Sequence, residues 1–138
     1  MTDPLGQSQV IPYLQGLCRE KRKFWLMSFE KKSRFQANGA QIQKLLDEAG
    51  IVWIPLLYTP SPPVLSTLYD LFRMRRTAFQ LIRKEKIHLL HCRSYISALV
   101  GLSAKRKLGT RFLFDMRGFW ADERVDGGIW KLKNPLFK

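Results

Sequence analysis

The chain has 138 residues, about one domain's length, and its 46% hydrophobic and 25% charged residues exclude a disordered polypeptide. Twenty-four Lys and Arg against eleven Asp and Glu leave a net charge of +13, which calls for an anionic partner or surface beyond the charge that keeps helix faces solvated. Every apolar run is broken short of the roughly 20 residues of a membrane span, residues 1–20 lack the basic leader and apolar core of a signal peptide, and Cys18 and Cys92 make neither a disulfide framework nor a zinc set. The expected location is cytoplasmic, with a peripheral position at the inner face of the membrane as its variant.

In chain order, residues 3–9 (DPLGQSQ) read as a polar turn, and Ser8 as the N-cap of a helix carrying Val10, Ile11, Tyr13, Leu14 and Leu17. Pro12 is tolerated in its first turn. Residues 24–29 form a compact apolar run that reads as a buried strand, with Glu30 at its carboxyl end. Ala40, Ile42, Leu45, Leu46 and Ala49 trace a helical face closed by Gly50. Residues 51–58 read as a second strand, where Pro55 favours a sheet edge or the strand's end. The proline-rich residues 58–63 read as a stiff loop inside one domain, because apolar periodicity resumes at Leu65.

A long helix is predicted over 66–86, with Leu68, Leu71, Phe72, Phe79 and Ile82 on an inner side and Arg73, Arg76, Arg83 and Lys84 outside. Residues 87–91 predict a third strand, 95–108 a helix with a basic end, and 112–114 a fourth strand. Alternating strands and helices predict an α/β fold: a Rossmann-like, doubly wound parallel sheet with helices on both faces, forming a single partial domain over 1–138. Only Met1 and Thr2 precede the opening turn, and a helical pattern at 128–132 ends the sequence. The expectation is a domain truncated at both ends, with its first strand and a C-terminal domain missing.

Ligands of open α/β sheets bind beyond the carboxyl ends of the strands, and charged residues collect there. His91-Cys92-Arg93-Ser94-Tyr95 follows the third strand, and Asp115-Met116-Arg117-Gly118-Phe119-Trp120-Ala121-Asp122-Glu123 follows the fourth. Arg93 beside Ser94 suits an acidic acceptor or a phosphate. His88 is expected to face a helix layer. A Cys92–His91 nucleophile is rejected, because adjacent strand residues point to opposite faces. Arg117 either pairs with Asp122 or Glu123 or contacts substrate; Phe119 and Trp120 either wall a sugar ring or plug a crevice. Asp122 and Glu123, as sequence neighbours, do not flank a glycosidic bond as a hydrolase pair would. Gly6 is either an ordinary turn glycine or a close approach for a ligand at a helix N-terminus.

Taken in order, DPLGQSQ, HCRSY and DMRGFWADE make the chain similar to the N-terminal domain of GT-B glycosyltransferases of the subfamily 4-like type, over nearly its whole length. The resemblance implies an acceptor-side domain of an enzyme that moves a sugar from a nucleotide-sugar to a saccharide or lipid-linked acceptor. It places Gly6 and Gln7 beside the cleft and gives Asp115 the part of accepting or orienting the acceptor hydroxyl's proton. Arg93, Arg117, Trp120, Asp122 and Glu123 become substrate contacts. It further implies retaining chemistry with no cofactor and no obligatory metal. The family's donor half carries two glutamates eight positions apart; Glu20, Glu30, Glu48, Glu85 and Glu123 contain no such pair. The donor is therefore expected to bind through a missing C-terminal domain, leaving this piece inactive by itself.

The basic helix has two readings, a solvated face or, as in GT-B enzymes acting on lipid acceptors, attachment of Arg73, Arg76, Arg83 and Lys84 to an anionic membrane. The rival class is a non-enzymatic basic α/β module contacting nucleic acid or anionic surfaces. No RNA-binding signature or zinc finger is present, so nucleic acid is not expected as a partner.

Overall fold

The computed structural model describes residues 1–18 and 23–116. They form an α/β arrangement in two compact units that divide between Asp70 and Leu71. Each unit holds a two-stranded parallel sheet.

The first unit opens helically at once. Asp3 Oδ1 accepts from the Gly6 amide at 2.7 Å, so Asp3 caps the helix and Pro4 occupies its first turn. This corrects the expectation of a turn over 3–9 with Ser8 as cap: an aspartate followed by proline is the stronger start signal, and Ser8 lies inside the helix. The helix passes through a π-helical stretch at Gly6–Val10 before the regular α1 (Ile11–Cys18).

Strand β1 (Phe24–Glu30), helix α2 (Lys32–Glu48) and strand β2 (Ile51–Leu57) make a parallel crossover, with Phe24 opposite Ile51 and Glu30 opposite Leu57. Parallel pairing requires such a connection, since a tight turn would reverse the second strand. Gly50 takes φ +73° after α2, a left-handed value that glycine adopts without strain. Pro55 sits within β2 opposite Ser28, in a sheet of two strands that are both edges.

Ile11, Ile42, Leu46, Ile51 and Trp53 form the core here, and Phe35 packs tilted on Trp53 with ring centroids 5.7 Å apart. Of the predicted α2 face, Ala40 is exposed. Asp70, 5% exposed, accepts from the Thr59 amide and hydroxyl, both at 2.9 Å, and so ties down the residues after β2.

Helix α3 (Pro63–Glu85) starts three residues earlier than predicted. The inner side assigned to it is only partly inner: Ile82 is buried, whereas Leu68 and Phe72 are 57% and 58% exposed. Helical periodicity registers an apolar stripe without registering what covers it.

In the second unit, β3 (Leu89–Arg93) is followed by α4 (Tyr95–Leu108) and β4 (Arg111–Asp115), with Leu89 opposite Arg111 and Arg93 opposite Asp115. The third strand thus lies two residues later than predicted, and His88 is exposed rather than facing a helix layer. Gly109 closes α4 at φ +71° and donates to the Lys105 carbonyl at 3.1 Å. Gly101 lets α4 approach the sheet: a Cβ there would stand 2.7 Å from Cys92 Sγ and 2.8 Å from a Phe112 ring carbon. Cys92, Val100 and Ala104 are buried in this unit.

No helix among the described residues is long and apolar enough to cross a membrane.

Candidate functional site

The richest polar cluster lies at the carboxyl ends of β3 and β4. Side chains on a strand alternate, so His91 and Arg93 share one face while Cys92 takes the other. In-register parallel pairing then brings Asp115 alongside Arg93. Asp115 Oδ2 lies 3.2 Å from Arg93 Nε and 3.3 Å from His91 Nε2. The histidine contact is a hydrogen bond when Nε2 carries the proton. The Arg93 contact is an ion pair by distance but lacks hydrogen-bond alignment, which leaves the buried Nε without a hydrogen-bond acceptor. All three side chains are about one third exposed, so the cluster is open to a ligand and partly shielded from solvent screening.

Ser94 turns the chain from β3 into α4 at φ 98° and ψ 162°, a region populated essentially by glycine. Its amide donates to the Asp115 carbonyl at 3.3 Å, and its own carbonyl accepts from the Ala98 amide and the Ser97 hydroxyl, each at 3.0 Å. The first amides of α4 therefore start where Arg93 and Asp115 end. Those amides lack intrahelical acceptors, and no acid occupies the first turn to neutralise them. The far side of this strand pair packs on α4. Cys92 is buried near Gly101, and Phe114 meets Tyr95 edge-on with centroids 5.3 Å apart. Burial pushes the Cys92 thiol up, partly countered by a hydrogen bond from the Gly101 backbone. Cys92 is thus an inert filler on the face away from His91.

The first unit holds a second acid at a strand end, and sequence reasoning gave it no role. Glu30 closes β1 at 1% exposure. Its carboxylate accepts from the Thr2 amide at 2.9 Å, the Thr2 hydroxyl, the Ser28 hydroxyl at 2.6 Å and the Met1 nitrogen. Ser28 in turn accepts from Trp53 Nε1 at 2.9 Å. Burial pushes the Glu30 carboxyl up, but hydrogen bonds from Met1, Ser28 and Thr2 outweigh it and hold the group below its ordinary value. The available signal was an acid ending an apolar strand, the same signal that singled out Asp115.

Gly6 is buried against residue 1: a Cβ would stand 2.7 Å from Met1 Cα. The need for glycine there is met by this backbone approach. Gln7 is exposed and its side-chain amide donates to the Thr2 carbonyl at 3.3 Å. Burial pushes the Asp3 carboxyl up, while the Gly6 amide and the charge of Met1 bring it below its ordinary value.

The structure thus gathers Arg93 and Asp115 with His91, places Gly6 and Gln7 in the first unit, and sets Arg76, Arg83 and Lys84 exposed on α3, with Arg73 half-buried. Lys84 Nζ lies 3.7 Å from Glu85. Arg117, Phe119, Trp120, Asp122 and Glu123, and the helical pattern at 128–132, lie outside the described residues. Among the described residues, no group of three or more His, Cys, Asp or Glu is placed to hold a metal ion. No family model, curated protein or solved structure matches the chain.

Proposed function

We propose that the chain is the acceptor-side domain of a glycosyltransferase, with a Rossmann-like arrangement, acting on a nucleotide-sugar and a saccharide or lipid-linked hydroxyl. The observation that carries the reading is the convergence of His91, Arg93 and Asp115, beside the strained Ser94, at the carboxyl ends of two parallel strands. That is where open α/β sheets take their ligands. The order of the segments DPLGQSQ, HCRSY and DMRGFWADE supports the same reading.

In this reading the acceptor oxygen forms a bond to the anomeric carbon as the bond to the nucleotide phosphate breaks. The hydroxyl proton must then leave. Asp115 orients that hydroxyl and helps remove its proton, and its contacts with Arg93 and His91 hold the carboxylate in place. Arg93 and the first amides of α4 offer positive potential to an acidic acceptor or a phosphate. The donor is a substrate of the reaction, and the chemistry calls on no cofactor and no obligatory metal.

The test is Asp115→Asn in an enzyme that carries this domain together with a donor-binding half. Turnover is expected to fall by ~10²–10⁴-fold, the usual share of a positioned acid or base, with the melting temperature nearly unchanged. A lowered melting temperature with intact turnover per folded molecule would make Asp115 a scaffold residue and refute the assignment.

A further inference from the structure

Helix α3 carries an exposed stripe that the cluster at Asp115 does not use. Val64, Leu65, Leu68, Tyr69 and Phe72 are between 55% and 73% exposed. At 100° per residue they fall within a sector of about 140°, one side of the helix. Arg76 and Arg83 follow 11 and 18 residues after Leu65, which returns them to within about 20° of its direction, and both are exposed. Arg75 lies over the Phe79 ring at 5.1 Å from its centroid. One side of one helix is therefore apolar at its N-terminal half and cationic beyond it.

No carboxylate offsets these cations within the stripe. The acids of α3 are Asp70 and Glu85. Asp70 is buried and bound to Thr59, and Glu85 ends the helix beside Lys84.

We propose that this side of α3 docks on an anionic lipid bilayer, with Leu65, Leu68 and Phe72 entering the headgroup–acyl boundary and Arg76 and Arg83 lying among lipid phosphates. Exposed aliphatic and aromatic side chains together with guanidinium groups fit an interface that is apolar below and anionic above. A second copy of the chain fits less well, because a two-fold contact would set cations against a stripe that has no acid to pair with them. The net charge of +13 adds long-range attraction of the same sign. The proposal stands independently of sugar transfer, since it uses a different surface and a binding readout.

The experiment is co-sedimentation of the full chain with phosphatidylcholine vesicles, with and without phosphatidylglycerol, across a salt series. Binding is expected only with the anionic lipid and should weaken as salt rises. Each of Arg76→Ala and Arg83→Ala should lower the partition coefficient about fivefold, the equivalent of ~1 kcal/mol per cation. The double variant Leu68→Ser/Phe72→Ser should lower it about tenfold or more, with an unchanged circular dichroism melt because both side chains are already in solvent.

Three results would overturn the proposal. The first is no vesicle binding at low salt. The second is anionic binding that the Leu68/Phe72 variant leaves intact, which would mean charge alone without insertion. The third is a concentration-dependent dimer without vesicles that the same variant dissolves, which would assign the stripe to a second copy.

Discussion

Replacing Glu30 by Gln asks what a buried, hydrogen-bonded carboxylate contributes to the first unit. The shape is retained, but one oxygen becomes an amide nitrogen and the charge is lost. One side of the carboxylate receives the two Thr2 donors and the other receives Ser28 and the Met1 nitrogen. Ser28 can adapt: its oxygen already accepts from Trp53 and a hydroxyl has a second lone pair, so it can accept from the new amide. The Met1 nitrogen cannot, and would face a donor. Bonds to charged groups contribute about 1.5–3 kcal/mol against about 1 for neutral ones. Weakening the two Thr2 bonds and losing one partner should therefore cost about 2–3 kcal/mol.

With a urea slope of roughly 1–3 kcal/mol per molar, the midpoint should fall by about 1–2 M. The pH dependence sharpens the test. Glu30's folded pKa is depressed, so its stabilisation is fully present above its ordinary value of 4.5 and is lost as pH falls through the lower folded value. A protonated Glu30 resembles Gln, so the gap between wild type and variant should close on acidification. The reasoning fails if the variant matches wild type at neutral pH, or if the gap persists unchanged into acid.

Ser94→Gly should stabilise the second unit by ~1 kcal/mol, because strain of about 1–3 kcal/mol at φ 98° is released against glycine's larger unfolded-state entropy. A raised melting temperature by calorimetry checks it, and a lowered one refutes the strain. Gly101→Ala sets two effects against each other: alanine's helix propensity favours it by about 1 kcal/mol, and overpacking opposes it by about 1–3. Distances of 2.7 and 2.8 Å to Cys92 and Phe112 decide for overpacking, so the urea midpoint should fall; a rise would show that α4 shifts freely.

Much of the element order could be read from the residues. Runs such as Phe24–Glu30 and Ile51–Leu57 announce strands because parallel strands are apolar on both faces. Gly50 and Gly109 mark helix ends because left-handed backbone favours glycine. Helix α4 was legible to the residue over 95–108. The opening helix was misplaced, since Ser8 and Asp3 both suit a cap and only the Asp3–Gly6 bond chooses between them.

Local chemistry alone could therefore determine an alternating α/β chain, an excess of cations, and acids at the ends of apolar strands. The tertiary structure decided what those acids meet. The alternation of strand side chains allows His91, Arg93 and Asp115 one face, but only the in-register pairing of two distant segments brings them together. Burial likewise belongs to no single residue. Glu30 and Asp115 end strands in the same way, yet one is enclosed by hydrogen bonds and the other stays partly open. The same holds for α3, whose periodicity predicted an apolar stripe while its surroundings left Leu68 and Phe72 in solvent. Periodicity is a property of neighbours in sequence, and burial is a property of neighbours in space.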